Sequence, residues 1–246
     1  MKITILTLFP EMFQGPFDYS IIKKAQLKKK VDINFVNIRD FGIGKHKVVD
    51  DKPYGGGHGM ILRVDVLEKA IAKTKNSDLD ERSQKVILLS PHGKTFNQKK
   101  ALELSCLKHL ILICGRYEGV DERAKKFIDQ ELSIGDFIVT GGEIPAMLVI
   151  DAVVRLVKGV LKDGVTATES FSLAAGPLRR ETSRKNPLLE YPQYTKPDNY
   201  KNLKVPPILL SGDHGKIQSW RDKISLITTI KLRPDLLRSN RSLLGR

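Results

Sequence analysis

Five runs of strand length constrain the fold of this chain more than any other feature: Ile3–Phe9, Val31–Val36, Val86–Ser90, Leu110–Cys114 and Phe137–Thr140. Several are almost continuously apolar rather than alternating, the pattern of strands covered on both faces. Between them stand segments with helical periodicity: Phe17–Lys29, Val64–Lys75, Gln98–Leu107, Asp121–Gln130 and Pro145–Val157. Strands alternating with helices predict an α/β fold on a largely parallel sheet. Pro145 suits a first helical turn, and Glu143 just before it suits the positive end of the helix dipole.

The pattern changes near Val160, where polar clusters and prolines gather. We therefore expect an α/β domain over residues 1–160, a linker over 161–185 and a small helical domain over 186–246. In the last, Lys216–Lys231 reads as an amphipathic helix carrying Trp220, and Pro234 bounds another short helix. Ala174–Lys185 reads as a disordered loop, small residues followed by a basic cluster. A chain of 246 residues is long enough for such a division.

The formal net charge of +14 suggests a polyanionic partner, nucleic acid before others. The excess is densest at the end: residues 161–246 hold 16 Lys/Arg against 8 Asp/Glu, and residues 1–160 hold 26 against 20. No run of eighteen apolar residues is present, so no membrane span is expected. Met1–Pro10 lacks a small-residue cleavage site and reads as a first strand rather than a signal peptide. Two cysteines, Cys106 and Cys114, make neither a disulfide framework nor a metal cluster, which fits a reducing cytoplasm.

Chemistry concentrates in the turns. Cys114-Gly115-Arg116-Tyr117-Glu118-Gly119-Val120-Asp121-Glu122-Arg123 follows a core strand and combines two glycines, an aromatic and both signs of charge. In α/β proteins ligands bind at such strand ends. Pro53-Tyr54-Gly55-Gly56-Gly57-His58-Gly59-Met60 is neither a P-loop nor a dinucleotide fingerprint. It offers backbone unobstructed by side chains, or else a flexible surface turn. Leu88-Leu89-Ser90-Pro91-His92-Gly93 lines a pocket or is a plain turn. Ser133–Pro145 feeds a helix through Gly141-Gly142, which permits close backbone approach. Asp151 and Arg155 stand at the spacing of an ordinary helical ion pair, though an arginine amid so much apolar surface also suits a site. Glu169-Ser170-Phe171-Ser172 and Leu188–Pro197 add carboxylates and tyrosines suited to stacking on a nucleotide, or to a small hydrophobic anchor.

Taken in order, PYGGGHGM, LLSPHG, CGRYEGVDER, SIGDFIVTGGEIPA, LLEYPQYTKP and VPPILLSGDH resemble the bacterial tRNA (guanine-N1)-methyltransferases, the TrmD-type enzymes of the SPOUT superfamily. Each motif alone is weak, but six in order over nearly the whole chain are specific. The resemblance implies methyl transfer from S-adenosylmethionine to N1 of guanosine 37 in the tRNA anticodon loop. It also implies an obligate homodimer, Mg²⁺-dependent activity, and a deep trefoil knot that general connection rules would not suggest. Its cofactor loops correspond here to Leu88, Leu89, Ser90, Pro91, His92 and Gly93; to Gly115, Tyr117 and Glu118; and to Ile134, Gly135, Phe137, Val139, Gly141, Gly142 and Pro145. Tyr54, Gly55, Gly56, Gly57, Glu118 and Glu190 correspond to the guanosine side.

Guanine N1 is protonated at neutral pH and is a poor nucleophile, so the reaction needs a base near N1 and a cation or donors near O6. The resemblance places the base at Glu169, where aspartate is usual, and the supporting cation at Arg155. Glu190 is the next carboxylate to consider. The stretch after Phe171, with Arg179, Arg180, Arg184 and Lys185, is longer than in the family and is expected to contact phosphate. Two other readings remain open on sequence: a knotted RNA methyltransferase with another target, and an RNA-binding protein without activity.

Overall fold

A computed structural model describes residues 1–172 and 187–238. The chain divides into two compact units, Met1–Lys162 and Asp163–Arg246. The first is built on five parallel strands: β1 (Lys2–Thr7), β2 (Asp32–Asn37), β5 (Gln84–Thr95), β6 (His109–Cys114) and β7 (Gln130–Ser133). Their order across the sheet is β2-β1-β6-β5-β7. Two short antiparallel strands, β3 (Asp50–Asp51) and β4 (Ile61–Leu62), close the base of the glycine-rich loop between them.

Both faces of the sheet are covered, which explains the unbroken apolar runs. All six residues of β6 are buried. Leu110, Leu112 and Cys114 join Ile3, Ile5, Ile87 and Leu89 on one face, and Ile111 and Ile113 join Leu6, Val86 and Leu88 on the other. The first face is covered by α1 (Ser20–Leu27), α3 (Gln98–Ser105) and α4 (Glu143–Val154), the second by α2 (Val64–Thr74). Helix α4 is buried through Ala146, Val149, Ile150, Val153 and Val154.

At the amino ends of the strands His109 is buried between Thr4 and Gln84. Gln84 Oε1 accepts from Asn76 N and, as a carbonyl oxygen, also accepts a hydrogen bond from His109 Nδ1–H. His109 Nε2 is then left to accept from the Thr4 hydroxyl, and the ring is neutral. Burial first, and then Lys2, lowers the His109 pKa to about 4.

Three elements differ from expectation. Phe137–Thr140 is not a strand; the fifth strand is Gln130–Ser133. Gly135 at φ +146° ends it, a conformation a side chain would strain, and Phe137 and Ile138 beyond it are exposed. Asp121–Gln130 is not one helix but a 3₁₀ turn over Glu122–Phe127. It stops there because Asp129 is drawn to the sheet: its N–H donates to Val86 O and its carboxylate accepts from Val86 N. Helix α4 begins at Glu143, with Pro145 inside its first turn.

In the second unit Asn199–Tyr200 and Leu203–Lys204 form a hairpin whose Lys201 and Asn202 both have positive φ, as a two-residue turn requires. Helix α5 (His214–Leu232) starts at Asp213, whose carboxylate caps Lys216 N, and α6 (Asp235–Arg238) follows Pro234. Ala174–Lys185, expected to be a disordered loop, lies outside the described residues.

Candidate functional site

In the first unit a cleft of about 310 Å³ opens at the carboxyl ends of β5, β6 and β7. That size lies at the low end for small-molecule sites, and the position is where parallel α/β sheets bind ligands. Three turns line it. Leu88 to His92 comes from β5, Gly115 to Val120 follows β6, and Ser133 to Gly135, Phe137 to Gly142 and Pro145 come from β7 and the turn into α4. The expected cofactor residues of all three turns face this cleft, except Gly93. Gly93 packs instead against the Glu131–Leu132 backbone, too closely for any Cβ. There β5 changes register: Leu89 and Lys94 both pair with Leu132, so Ser90–Gly93 bulges out of the sheet.

The glycines are required by close approach. A Cβ on Gly142 would stand 2.5 Å from Cys114 Cα and 2.8 Å from Gly115 N. Gly142 N donates to Gly115 O at 2.8 Å, which seats the turn before α4 on the end of β6. A Cβ on Gly141 would stand 2.6 Å from Glu143 Oε2 and 2.8 Å from Arg116 Nη1.

Those two side chains hold the turns together. Glu143 is buried in the first turn of α4, accepts from Thr7 Oγ1 at 2.8 Å, and faces Arg116 Nε at 3.9 Å. Arg116 donates to Thr140 O and lies 4.6 Å from the centre of the Phe9 ring. Burial, and then the Glu143 carboxylate, raises the Cys114 thiol well above its usual range, with Arg116 opposing. Cys114 is thus a protonated core residue and not a nucleophile.

Sequence reasoning did not assign Arg116 a role, although it lies in the most conspicuous motif. It also missed Lys125, which lines the cleft between Glu122 at 2.9 Å and Glu131 at 3.0 Å. The Lys125 pKa is raised first by Glu122 and then by Glu131. No local pattern could show that pairing, because Glu131 lies on the next strand. Glu118, Glu122 and Glu131 face Arg116 and Lys125 around the lining, three carboxylates against two cations.

The glycine-rich loop is tied to the same wall. Glu118 N donates to Met60 O at 3.0 Å, Leu62 N to Gly119 O at 3.0 Å, and Asp121 N to Leu62 O at 2.9 Å. A Cβ on Gly59 would meet the Glu118 side chain at 2.5 Å. Gly55, Gly56 and Gly57 have positive φ, and Tyr54 is 98% exposed. At the base of the loop Arg63 binds Asp65 through two nitrogens, at 3.1 and 3.0 Å.

Arg155 caps the carboxyl end of α4 in the first unit and is half-buried. Glu169 and Glu190 belong to the second unit. There Glu169 opens a turn closed by Ser172 N donating to Glu169 O at 3.1 Å, and Gln193 Nε2 donates to Glu190 Oε1 at 2.6 Å. Arg179, Arg180, Arg184 and Lys185 lie outside the described residues.

The cleft fits a small ligand with a flat apolar part and a positive centre. Leu88, Leu89, Ile134, Val139 and Pro145 supply apolar wall, the glycines leave backbone uncovered, and carboxylates outnumber cations. Among the described residues no three of His, Cys, Asp and Glu gather into a metal-ligating group, and no helix is long and apolar enough to cross a membrane.

A family profile described as tRNA (Guanine-1)-methyltransferase TrmD matches residues 1–239. The chain is 54% identical over 237 residues to a tRNA (guanine-N(1)-)-methyltransferase of Dictyoglomus turgidum, covering 96% of this chain and 90% of the relative. It is 48% identical over 245 residues to the protein of that name from Bacillus pumilus, covering 99% and 94%. With the one from Metamycoplasma arthritidis it shares 50% over 237 residues, 96% of each chain.

Proposed function

From the premise that this chain belongs to the tRNA (guanine-N1)-methyltransferase family, we propose that it methylates N1 of guanosine 37 in tRNA, with S-adenosylmethionine as donor. The observation that carries this reading is the meeting of three separate turns in one glycine-lined cleft at the carboxyl edge of the sheet.

S-adenosylmethionine, when bound, supplies a methyl group already activated on a sulfonium. The protein's part is to hold, orient and deprotonate. Leu88, Leu89, Ile134, Val139 and Pro145 take the adenosine against apolar wall, while Gly115, Gly141 and Gly142 let the backbone come close. Ser90, Pro91, His92, Tyr117, Gly135 and Phe137 complete the enclosure and limit water. Tyr54, Gly55, Gly56, Gly57, Glu118 and Glu190 hold the guanosine. The Glu169 carboxylate takes the N1 proton, and Arg155 supports the negative charge that develops toward O6. The described residues offer no ligand set for Mg²⁺, and we derive no step through it.

The first unit is the cofactor domain, with a deep trefoil knot around the cofactor site. Residues 161–185 are the linker, and residues 186–246 are a helical domain that binds the tRNA anticodon stem-loop. The enzyme is a cytoplasmic homodimer, and the exposed apolar residues Phe137, Ile138 and Val139 support a protein partner for that turn.

The test is calorimetry with S-adenosylmethionine beside a methylation assay on a tRNA bearing guanosine 37, with the modified nucleotide mapped. Cofactor binding without methyl at that position overturns the target. Glu169→Gln is expected to nearly abolish turnover and spare cofactor binding; full turnover in that variant moves the base elsewhere, to Glu190 first.

A further inference from the structure

Three side chains of α5, Arg221, Ser225 and Thr229, stand four residues apart on one stripe of the helix, and Arg233 follows at its C-cap. Helix stripes that face a core are apolar as a rule. This one is polar, and it is covered: Thr229 is 0% exposed and Ser225 is buried. The segment that carries Glu190 lies against Thr229 and Arg221, and Phe171 of the Glu169 turn lies beside Arg233.

The contacts form a chain. Thr229 Oγ1 donates to Ser225 O at 2.7 Å, and its lone pair accepts from Leu189 N at 2.9 Å. Next to Leu189, Leu188 O accepts from Phe171 N at 2.9 Å, and Glu190 N donates to Ser170 Oγ at 2.9 Å. The guanidinium of Arg221 lies 4.7 Å from the centre of the Tyr191 ring, and that of Arg233 lies 5.8 Å from the Phe171 ring.

The turn held this way is strained. Phe171 has φ +66°, rare for a bulky residue, and it sits inside the Glu169–Ser172 turn. A residue in that region persists only when its surroundings over-determine it. Here the over-determination comes from Leu188 and from Arg233. Hydroxyls rather than methyls give direction as well as contact: Thr229 on the stripe accepts from Leu189 N, and Ser170 in the turn accepts from Glu190 N.

We propose that Thr229 and Ser170 are positioning residues for methyl transfer, holding the strained turn so that the Glu169 carboxylate is presented in one orientation. The proposal rests on the reading of Glu169 as the base. A carboxylate displaced by about 1 Å loses about 100-fold in rate, so a turn released from α5 loses rate without losing donor binding.

The test is single-turnover methylation of tRNA by the full chain, with donor affinity measured alongside. Thr229→Val keeps the shape and removes the acceptor; it is expected to slow methylation at least about tenfold with donor affinity within about twofold. Thr229→Ser restores the hydroxyl and is expected to restore the rate. In a Glu169→Gln background Thr229→Val is expected to add no further loss, because nothing remains to be positioned. A loss of the same size in that background, or no loss in the native one, overturns the proposal. Ser170→Ala serves the same comparison if Thr229→Val does not fold. If Glu169→Gln alone methylates at the native rate, the base assignment fails with it; if it is inactive and Thr229→Val is unimpaired, only the positioning role fails.

Discussion

Thr7 Oγ1 donates a 2.8 Å hydrogen bond to Glu143 Oε1, joining the end of the first strand to the first turn of α4 across 136 residues of chain. The other carboxylate oxygen, Oε2, faces Arg116 at 3.9 Å, beyond hydrogen-bond reach. The three side chains fix the turns before α4 and after β6 to the sheet and so set the shape of the cleft.

Removing Arg116 leaves a buried carboxylate without its counter-ion, whereas Glu143→Gln removes the charge and keeps an acceptor for Thr7. Arg116→Ala is therefore expected to destabilise by about 2–3 kcal/mol, and Glu143→Gln by less. Urea denaturation of both variants measures this. A larger loss for Glu143→Gln would show that the charge itself is stabilising.

Gly142→Ala is expected to cost about 3 kcal/mol, the upper end for overpacking, because the Cβ meets backbone at Cys114 and Gly115 and not a side chain that can turn aside. Donor affinity is expected to fall as well, since relief requires parting two walls of the cleft. Calorimetry and thermal melting report the two effects. An unchanged affinity with lowered stability would confine the damage to the fold.

His109 sets a pH dependence. Its folded pKa lies near 4, below the ordinary 6.5, because the neutral ring is buried between Thr4 and Gln84. The unfolded chain thus binds a proton first. This contribution to stability is fully present above about pH 6.5 and is lost at about 1.4 kcal/mol per pH unit as the pH falls toward 4. In His109→Asn the pH 4–6.5 slope should be shallower by one proton. An identical slope would assign the acid loss to carboxylates.

Ile138 is 82% exposed beside Phe137 and Val139. If this turn is covered by a second copy of the chain, Ile138→Asp is expected to shift the protein to monomer in analytical ultracentrifugation at micromolar concentration. A dimer of native affinity in that variant would place the interface elsewhere.

The central strands were legible because burial on both faces leaves an unbroken apolar run; Leu110 to Cys114 is the plainest case. The edge strand was not. Gln130–Ser133 is polar at three of its four positions, whereas Phe137–Thr140 looks like a strand because its apolar residues serve the cleft and the surface instead of the core. The cleft turns stood out through their glycines, which mark backbone contacts on any sequence. The Arg116–Glu143–Thr7 and Lys125–Glu131 pairings did not, because each joins residues whose proximity depends on strand order. The buried hydroxyls of α5 were not legible either: Ser225 and Thr229 are polar by type, and the bond from Leu189 N to Thr229 joins residues 40 apart.

The seating of Gly142 against Cys114 and Gly115 also orders events in time. Synthesis delivers β1, β5 and β6 first, with α1 and α3, and the part of their inner face that α4 covers stays bare until Ala146, Val149, Ile150 and Val153 arrive. A ribosome-stalled chain ending before α4 therefore has most of a sheet, an uncovered apolar surface and no donor cleft, the profile of an aggregation-prone intermediate. Affinity for the methyl donor thus begins only when the domain is finished, and it can serve as a readout of completed folding.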